Sequence, residues 1–488
     1  MKFNILIVFA LLATSCSKYL ETDPDLRTHL DDPVKIGELI TSAYPRANYI
    51  PFMEAASDNA GDKGAAAGSG SAVNRDPWMF NDVQSVDEDS PTFYWYATYK
   101  AIAAANQALK AIDDLGNPKE TISMKGEALI ARAYAHHMLV SLYAKFYVPG
   151  EANDAPGVPY VTKPETEVIT AYDRSTVNEV YKLIEKDIVE GLPLLDDNRY
   201  RVPKYHFTKA SAHAFATRFY LFKGDYEKAL EHANASLGQD IGVAVRAINS
   251  SAFRSMEYYD KQFWYTSDSN PSNLLLVEAK SLWGRSLAGY RYGLTTPLMS
   301  ELIYASNVTG GSYAYTIYGG TELVYNIPKF RETFITENIN AEFGDAYNMI
   351  PLFTADELLL NRAELYARLN QFDKSIADLN AFASKKIYTS QNNPVYNPSA
   401  HNITLSKVNS FYKSSDTKEN LINAVLDFRR REFLFEGLRW FDILRFNIVV
   451  THSSQDRLNT YVLGLNDPMR LFQVPDEVVL SGVQKNPR

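Results

Sequence analysis

The sequence predicts a mainly α-helical fold, in which paired helices form a scaffold for long, irregular, aromatic-rich loops and a few short strands. Apolar residues recur at the spacing of an amphipathic helix in several stretches, whereas the region 238–350 loses that periodicity. The predicted helical stretches are 93–115, 123–147, 173–195, 210–237 and 356–383. A composition of 46% hydrophobic and 22% charged residues is ordinary for a folded protein, so we do not expect disorder in most of the chain.

The first residues have the pattern of an exported lipoprotein. Lys2 precedes an apolar run, 5–13, that is too short to cross a bilayer core of roughly 30 Å but suits a signal peptide. Small residues then lead to Cys16, the only cysteine, and the sequence LATSC that ends there resembles a relaxed bacterial lipobox. We therefore predict a signal peptide at 1–15, lipid attachment at Cys16 and a polar tether at 16–32. The alternative is an ordinary signal peptide with an incidental thiol.

Helical periodicity starts again at 34–44 and is then interrupted by a glycine-rich stretch, 57–71. This stretch has almost no apolar bulk, so we expect an exposed loop. Further along, Thr176 with Glu179 three residues later predicts an N-terminal capping box for the helix at 173–195.

Two of the helical stretches resemble each other. Residues 210–237 and 356–383 each have the pattern of a helix, a short turn and a second helix. The turn at 224–229, GDYEKA, looks like the inter-helix turn of a tetratricopeptide repeat, whereas the second copy has Asn370 in place of the turn glycine. One helical hairpin cannot bury its apolar face alone, so we expect neighbouring hairpins to stack into a tetratricopeptide-like scaffold.

Aromatic residues and glycines dominate the region between the two repeat copies. We interpret it as long loops and short strands laid over the scaffold, a usual location of binding sites. The predicted organisation is one domain at 33–488, with the helical scaffold at about 88–237 and 351–383, a loop-rich ligand region at about 238–350 and a C-terminal signature region at about 417–488.

The segment 429–446, RRREFLFEGLRWFDILRF, has the pattern of a helix with charges three residues apart. This spacing predicts ion pairs of Glu436 with Arg439, of Arg439 with Asp442, and of Asp442 with Arg445.

The same segment closely resembles the R-R-E-L-x-F-E-G-x-R-W-F-D-L-x-R signature of SusD/RagB proteins. The matching positions are Arg430 or Arg431, Glu432, Phe435, Glu436, Gly437, Arg439, Trp440, Phe441, Asp442 and Arg445. Four residues differ from the signature, and all four are apolar side chains typical of a protein core: Phe428, Phe433, Leu434 and Leu438. Further segments similar to family motifs are 16–24, 361–366, 471–475 and 484–488. The resemblance is weakest across 240–350.

This resemblance implies both a fold and a function. Such proteins carry tetratricopeptide-like hairpins with variable loops, and they sit on the outer leaflet as a lid on a TonB-dependent, SusC-like transporter. We accordingly expect an outer-membrane, cell-surface lipoprotein that binds an oligosaccharide, or in some members a peptide, and passes it inward. Nucleic acid is not an expected partner, because a formal net charge of −9 argues against a concentrated positive surface.

Oligosaccharide recognition requires flat apolar side chains against the C–H face of a sugar, and hydrogen bonds to its hydroxyls. A ring that covers roughly 60 Å² of sugar contributes on the order of 1.5 kcal/mol. The candidate ligand-binding residues are Trp78, Trp283, Tyr290 and Tyr292, followed by Trp264 and Tyr315. Core packing is the alternative for each of them, and it is the interpretation that we give to Trp95 and Trp440.

No catalytic residue, metal site or cofactor is predicted. The sequence has neither a G-x-S-x-G nor an H-E-x-x-H motif, and its one cysteine is assigned to lipid attachment. Glu432 and Glu436 are interpreted as structural charges, although a glycosidase, which needs only two carboxylates, is an alternative. A peptide-binding member of the family and a pure protein-interaction scaffold are the others.

Overall fold

The structure, a computed structural model, describes residues 30–68, 70–165, 171–336, 343–390 and 392–488. It confirms the prediction of a mainly α-helical fold. The helices are α1 (Pro33–Ile40), α2 (Ile50–Ala56), α3 (Ala72–Trp78), α4 (Pro91–Asp114), α5 (Ile122–Tyr143), α6 (Val177–Gly191), α7 (Lys209–Lys223), α8 (Tyr226–Leu237), α9 (Ser251–Arg254), α10 (Tyr258–Tyr265), α11 (Trp283–Ser286), α12 (Thr296–Met299), α13 (Ala355–Arg368), α14 (Phe372–Lys386), α15 (Pro398–His401), α16 (Leu405–Tyr412), α17 (Thr417–Glu432) and α18 (Arg439–Arg445). The strands are β1 (Gly61–Asp62), β2 (Asn273–Lys280), β3 (Tyr292–Gly293), β4 (Ser312–Tyr313), β5 (Glu332–Thr336), β6 (Gly344–Thr354), β7 (Ile387–Tyr388), β8 (Val450–Ser453) and β9 (Thr460–Leu463).

The predicted signal peptide, Cys16 and most of the predicted tether lie outside the described residues. In the part of the chain that is described, none of the helices combines the length and the apolar character that crossing a membrane requires.

Helix α5 packs against both α4 and α6 to form the first part of the scaffold. Every residue of α5 from Gly126 to Tyr143 is buried. A Cβ atom added to Gly126 would lie 2.7 Å from the carbonyl oxygen of Gly191 on α6, so α5 and α6 approach closely where two glycines face each other. Thr176 caps α6 by accepting a hydrogen bond from the Glu179 backbone N–H, which is one half of the predicted capping box.

Both predicted repeat copies form helical hairpins, α7–α8 and α13–α14. Each turn contains a left-handed residue, Gly224 with φ +84° in the first and Asn370 with φ +58° in the second. Asparagine tolerates this backbone conformation better than most residues, which explains how it replaces the turn glycine. Helix α8 also packs against α13, so the two hairpins stack although they are far apart in sequence.

The region 238–350 lays an antiparallel sheet, in the order β2-β6-β5, against helix α7. Strand β6 has 11 residues and β2 has 8, so both are longer than the short strands that the sequence predicted. β6 continues to Thr354, beyond the expected end of this region, and the Thr354 side chain then caps α13. Buried and partly exposed residues alternate over 345–350 of β6, with Tyr347 and Met349 on the partly exposed face, whereas residues 350–354 are all buried. One face of the sheet is therefore open.

The glycine-rich stretch 57–71 is only in part the exposed loop that its composition predicted. Asp62 and Lys63 in its first half are 7% and 1% exposed. Asp62 accepts hydrogen bonds of 2.7 and 2.9 Å from the Arg291 guanidinium, and the Lys63 ammonium donates one of 2.7 Å to the Ala288 carbonyl. A distant segment thus satisfies these polar groups and allows them to be buried.

Candidate functional site

The signature segment is not the single helix that its periodicity predicted, because α17 and α18 are separated by residues 433–438. Phe435 and Gly437 have φ values of +71° and +73°. The carboxylate of Glu54 on α2 accepts hydrogen bonds from their backbone N–H groups, at 2.8 and 3.0 Å. A Cβ atom on Gly437 would lie 3.2 Å from the Cα atom of Ile50. Contact with α2 therefore accounts for the break, and the spacing of charges in the segment contains no sign of it.

The break changes the partners of the charged side chains. Arg439 donates two hydrogen bonds of 2.8 Å to Asp58, so the predicted pairs of Arg439 with Glu436 and with Asp442 are wrong. The third predicted pair, Asp442 with Arg445, is present at 3.1 Å. The first two failed because Arg439 starts a new helix, and its side chain reaches the loop after α2 instead.

Glu432 belongs to a buried ionic network. Its carboxylate accepts hydrogen bonds of 2.7 Å from the Lys386 ammonium and 2.7 Å from the Tyr313 hydroxyl. Lys386 also lies 2.6 Å from Asp356, which in turn pairs with Arg246 at 3.1 Å. Burial alone would raise the pKa of Asp356, but Lys386 and Arg246 outweigh it and hold the pKa of this carboxyl below its usual range.

Glu436 joins the same network through the loop-rich region. It accepts hydrogen bonds of 2.6 Å from the Lys329 ammonium and 2.5 Å from the Tyr265 hydroxyl. The cations and carboxylates of the network balance in charge, and each carboxylate is already ion-paired. This supports a structural interpretation of the two glutamates, which together tie the region 238–350 to the signature segment.

Trp78 and Tyr292, two of the predicted ligand-binding residues, lie in a buried aromatic stack. Their ring centroids are 4.3 Å apart, and the His452 ring stacks on Trp78 at 5.0 Å. The Trp78 indole N–H donates a 2.9 Å hydrogen bond to the Ala60 carbonyl. With side chains 1% and 3% exposed, the two rings hold β3, β8 and the loop 57–71 together in this structure.

Trp283 and Tyr315 are buried as well. The Trp283 indole N–H donates a 3.1 Å hydrogen bond to the Phe435 carbonyl, and the Tyr315 hydroxyl donates one of 3.1 Å to the Glu432 carboxylate. Trp264 and Tyr290 are partly exposed. As ligand contacts, all six residues stay a prediction, and the two partly exposed rings are the ones that a ligand reaches without rearrangement of the loops. The residues that the sequence assigned to packing, and that are buried as predicted, are Trp95 and Trp440.

Two clefts lie beside α10, and Arg331 lines both of them. The sheet-side cleft, of about 250 Å³, lies over the open face of the sheet, and the loop-side cleft, of about 490 Å³, lies on the side of α11. Side chains that line the sheet-side cleft include Tyr205, Phe263, Asp268, Glu278, Arg331 and Tyr347. Side chains that line the loop-side cleft include Tyr258, Tyr259, Gln262, Arg285, Arg331 and Glu332.

Sequence reasoning did not select the most exposed rings of these clefts. Tyr259, Phe263 and Tyr205 are 72%, 61% and 41% exposed. Tyr259 and Phe263 are four residues apart and so share one face of α10, which is the signal that could have identified them. The Tyr258 ring meets Tyr259 edge-on at 5.4 Å, and its hydroxyl donates a 2.9 Å hydrogen bond to Asn326. These contacts orient the exposed ring beside them.

Two other clefts of the described chain lack this combination. A cleft of about 300 Å³ between residues 80–86 and 471–477 has a mostly polar lining, but its rings, Phe80 and Phe472, are buried. A groove of about 330 Å³ along α4, near Tyr99 and Val478, has a mostly apolar lining. No three His, Cys, Asp or Glu side chains of the described residues come together in a way that could hold a metal ion. The clefts beside α10 combine exposed rings with charged and amide side chains, which is the composition of a site for a polar small molecule.

Comparisons with known proteins relate most of the chain to one family. Residues 18–221 match a SusD-like family described as starch-binding and associating with the outer membrane, and residues 300–476 match the SusD family. The SusD-like protein P2 of Formosa agariphila is 21% identical over 395 residues, which cover 74% of this chain and 73% of that protein.

Solved structures have the same fold. A SusD-like carbohydrate-binding protein from Bacteroides vulgatus superposes with a TM-score of 0.64 at 18% identity, covering 92% of this chain and 96% of that one. A laminarin-binding SusD-like protein superposes with a TM-score of 0.56 at 16% identity, covering 93% of this chain and 98% of that one. The resemblance first carried by the signature at 429–446 is thereby confirmed, and the chain belongs to the SusD family.

Proposed function

We propose that this protein captures an oligosaccharide at the cell surface and delivers it to a SusC-like, TonB-dependent transporter of the outer membrane. The observation that carries the proposal is the pair of clefts beside α10 that share Arg331, with exposed aromatic rings next to charged and amide side chains. Carbohydrate binding also agrees with the description of the matched family and with the laminarin-binding neighbour.

The clefts offer the two kinds of contact that a sugar needs. Tyr259, Phe263 and Tyr205 present flat apolar surface, at roughly 1.5 kcal/mol for each ring that covers a sugar face. Three rings then contribute about 4–5 kcal/mol before ordering costs, near the millimolar range of affinity. Arg331 and Gln262 add polar contacts at the cleft walls. Weak binding of this kind suits a protein that must release its ligand to a transporter.

Delivery to a transporter requires attachment to the same membrane. Lipid chains on Cys16 would supply it, because each buried CH₂ group contributes about 0.8 kcal/mol and several chains together anchor a protein stably. In this proposal the protein is a cell-surface lipoprotein without catalytic activity. The α10 clefts face the ligand, and the tetratricopeptide-like hairpins face the transporter.

The test is a binding screen with the soluble protein lacking residues 1–16. Calorimetry against neutral and charged oligosaccharides and against short peptides is expected to detect an oligosaccharide at micromolar to millimolar affinity. A peptide as the sole ligand would favour the peptide-binding alternative instead. Hydrolysis of a bound glycan would reopen the glycosidase alternative.

Substitutions then locate the site. Tyr259→Ala and Phe263→Ala are each expected to weaken binding about tenfold, since each removes one ring contact. Tyr304→Ala and Phe411→Ala serve as matched controls, because these rings are 56% and 40% exposed but lie outside the clefts. Unchanged affinity in both cleft variants, with intact folding, would place the ligand elsewhere, with Trp264 and Tyr290 as the next positions to test.

A further inference from the structure

Arg331 occupies an unusual position, because it lines both α10 clefts and its charge has no partner there. The residue is exposed, and within the described parts of the chain its guanidinium forms no ion pair. Three other charged groups of the clefts are neutralised: Arg285 pairs with Glu332, and Glu278 pairs with Arg46.

The backbone that carries Arg331 is held in place at three consecutive residues, 329–331. The Lys329 side chain is fixed in the buried ionic network, and the Phe330 carbonyl accepts a 2.6 Å hydrogen bond from the Gln262 amide. The Arg331 carbonyl itself accepts a 3.1 Å hydrogen bond from the Asn348 amide. The guanidinium therefore projects from a fixed base, which lowers the entropy that binding must remove.

Local charge favours an anion in the loop-side cleft. Its charged side chains are Arg285, Arg331 and Glu332, so it carries a net positive charge, whereas the whole chain has a formal charge of −9. Charges more than about 8 Å away are largely screened at physiological salt. The local excess of positive charge therefore determines which ligands this cleft attracts. The sheet-side cleft differs, since the exposed carboxylate of Asp268 opposes Arg331 there.

We infer that the ligand is an acidic oligosaccharide, whose carboxylate or sulfate group binds Arg331 while neighbouring sugar rings lie against Tyr259 and Phe263. This inference rests on the proposed function and adds the substrate class to it. A guanidinium suits both anions, because its planar fork of donors can make two parallel hydrogen bonds to one carboxylate or sulfate.

The experiment compares acidic hexamers with uncharged ones, and one acidic hexamer is matched in its sugar backbone. Galacturonic acid hexamers and their methyl esters share one sugar backbone, a sulfated galactose hexamer separates sulfate from carboxylate, and a glucose hexamer is the neutral reference. Binding of each is measured by calorimetry for the wild type, for Arg331→Gln and for the control Arg254→Gln. Arg254 is a second exposed arginine of the same region, and it lies outside both clefts.

The wild type is expected to bind one of the two anionic hexamers at least tenfold more tightly than the uncharged ones, with an affinity that falls as salt is raised. Arg331→Gln should remove this preference, and Arg254→Gln should keep it. Equal or tighter binding of the uncharged hexamers, or a preference that survives in Arg331→Gln, would overturn the inference and leave the proposed function standing. Absence of binding to all four hexamers and to any other oligosaccharide would count against the proposed function itself.

Discussion

Replacing Glu432 by glutamine removes one negative charge from the buried ionic network with almost no change in shape. The wild-type network is neutral, whereas the variant holds an excess positive charge among side chains that are 0–5% exposed. Breaking a buried ion pair costs about 3–5 kcal/mol. Lys386 keeps its 2.6 Å contact with Asp356, so we expect the lower end, about 3 kcal/mol.

The assay is urea unfolding of the soluble protein, followed by circular dichroism, with Asp114→Asn as the control. Asp114 forms a 2.7 Å pair with Lys110, but both side chains are more than half exposed, so its loss should cost no more than about 0.5 kcal/mol. Adding Lys386→Gln to Glu432→Gln restores neutrality. The double variant should therefore be less destabilised than the sum of the two single variants.

Two outcomes would refute this reasoning. A free energy of unfolding for Glu432→Gln within error of that for Asp114→Asn would mean that the buried charges are solvated or neutral. Strict additivity in the double variant would mean that Glu432 and Lys386 do not interact, despite the 2.7 Å between their charged groups.

Three further changes test other parts of the structure. Gly437→Ala should lower the free energy of unfolding in urea by at least about 1 kcal/mol more than Gly116→Ala does. Both glycines have positive φ, but only at Gly437 would the new Cβ atom lie 3.2 Å from α2. Equal losses in the two variants would contradict the packing argument. Burial raises the pKa of Asp89 to about 7, against about 4 in the unfolded chain, so its contribution to stability is complete below about pH 4 and is lost as the pH rises through 7. Asp89→Asn should flatten this part of the pH dependence of the unfolding free energy, and an unchanged slope would exclude Asp89 as its source. Cys16→Ser should remove the protein from the outer-membrane fraction of cells, and its retention there would argue against lipid attachment.

Local patterns were sufficient for much of the scaffold. The two repeat copies were recognised because a helical hairpin repeats its own turn chemistry, including the left-handed residue at Gly224 and Asn370. Thr176 was assigned as a cap because capping depends on a residue only three positions away. The signature predicted the family because its residues are consecutive in the chain.

Patterns failed where the partner of a residue lies far away in sequence. The glycine-rich stretch 57–71 was expected to be exposed, yet Asp62 is buried against Arg291. Trp78 and Tyr292 were both selected as candidate ligand-binding residues, but composition could not indicate that the two rings stack on each other. Burial of a polar or aromatic side chain depends on which distant group satisfies it, and that group is not encoded nearby.

By itself, the sequence determined the helical character of the chain, its repeated hairpins, its family and the leader pattern that ends at Cys16. These properties follow from short-range spacing, since helix periodicity and turn chemistry act over a few residues. The tertiary structure alone decided that the signature helix breaks against α2 and that Glu432 and Glu436 are ion-paired. It also placed Tyr259 and Phe263 at two clefts that share Arg331, because contacts across tens or hundreds of residues depend on how the whole chain packs.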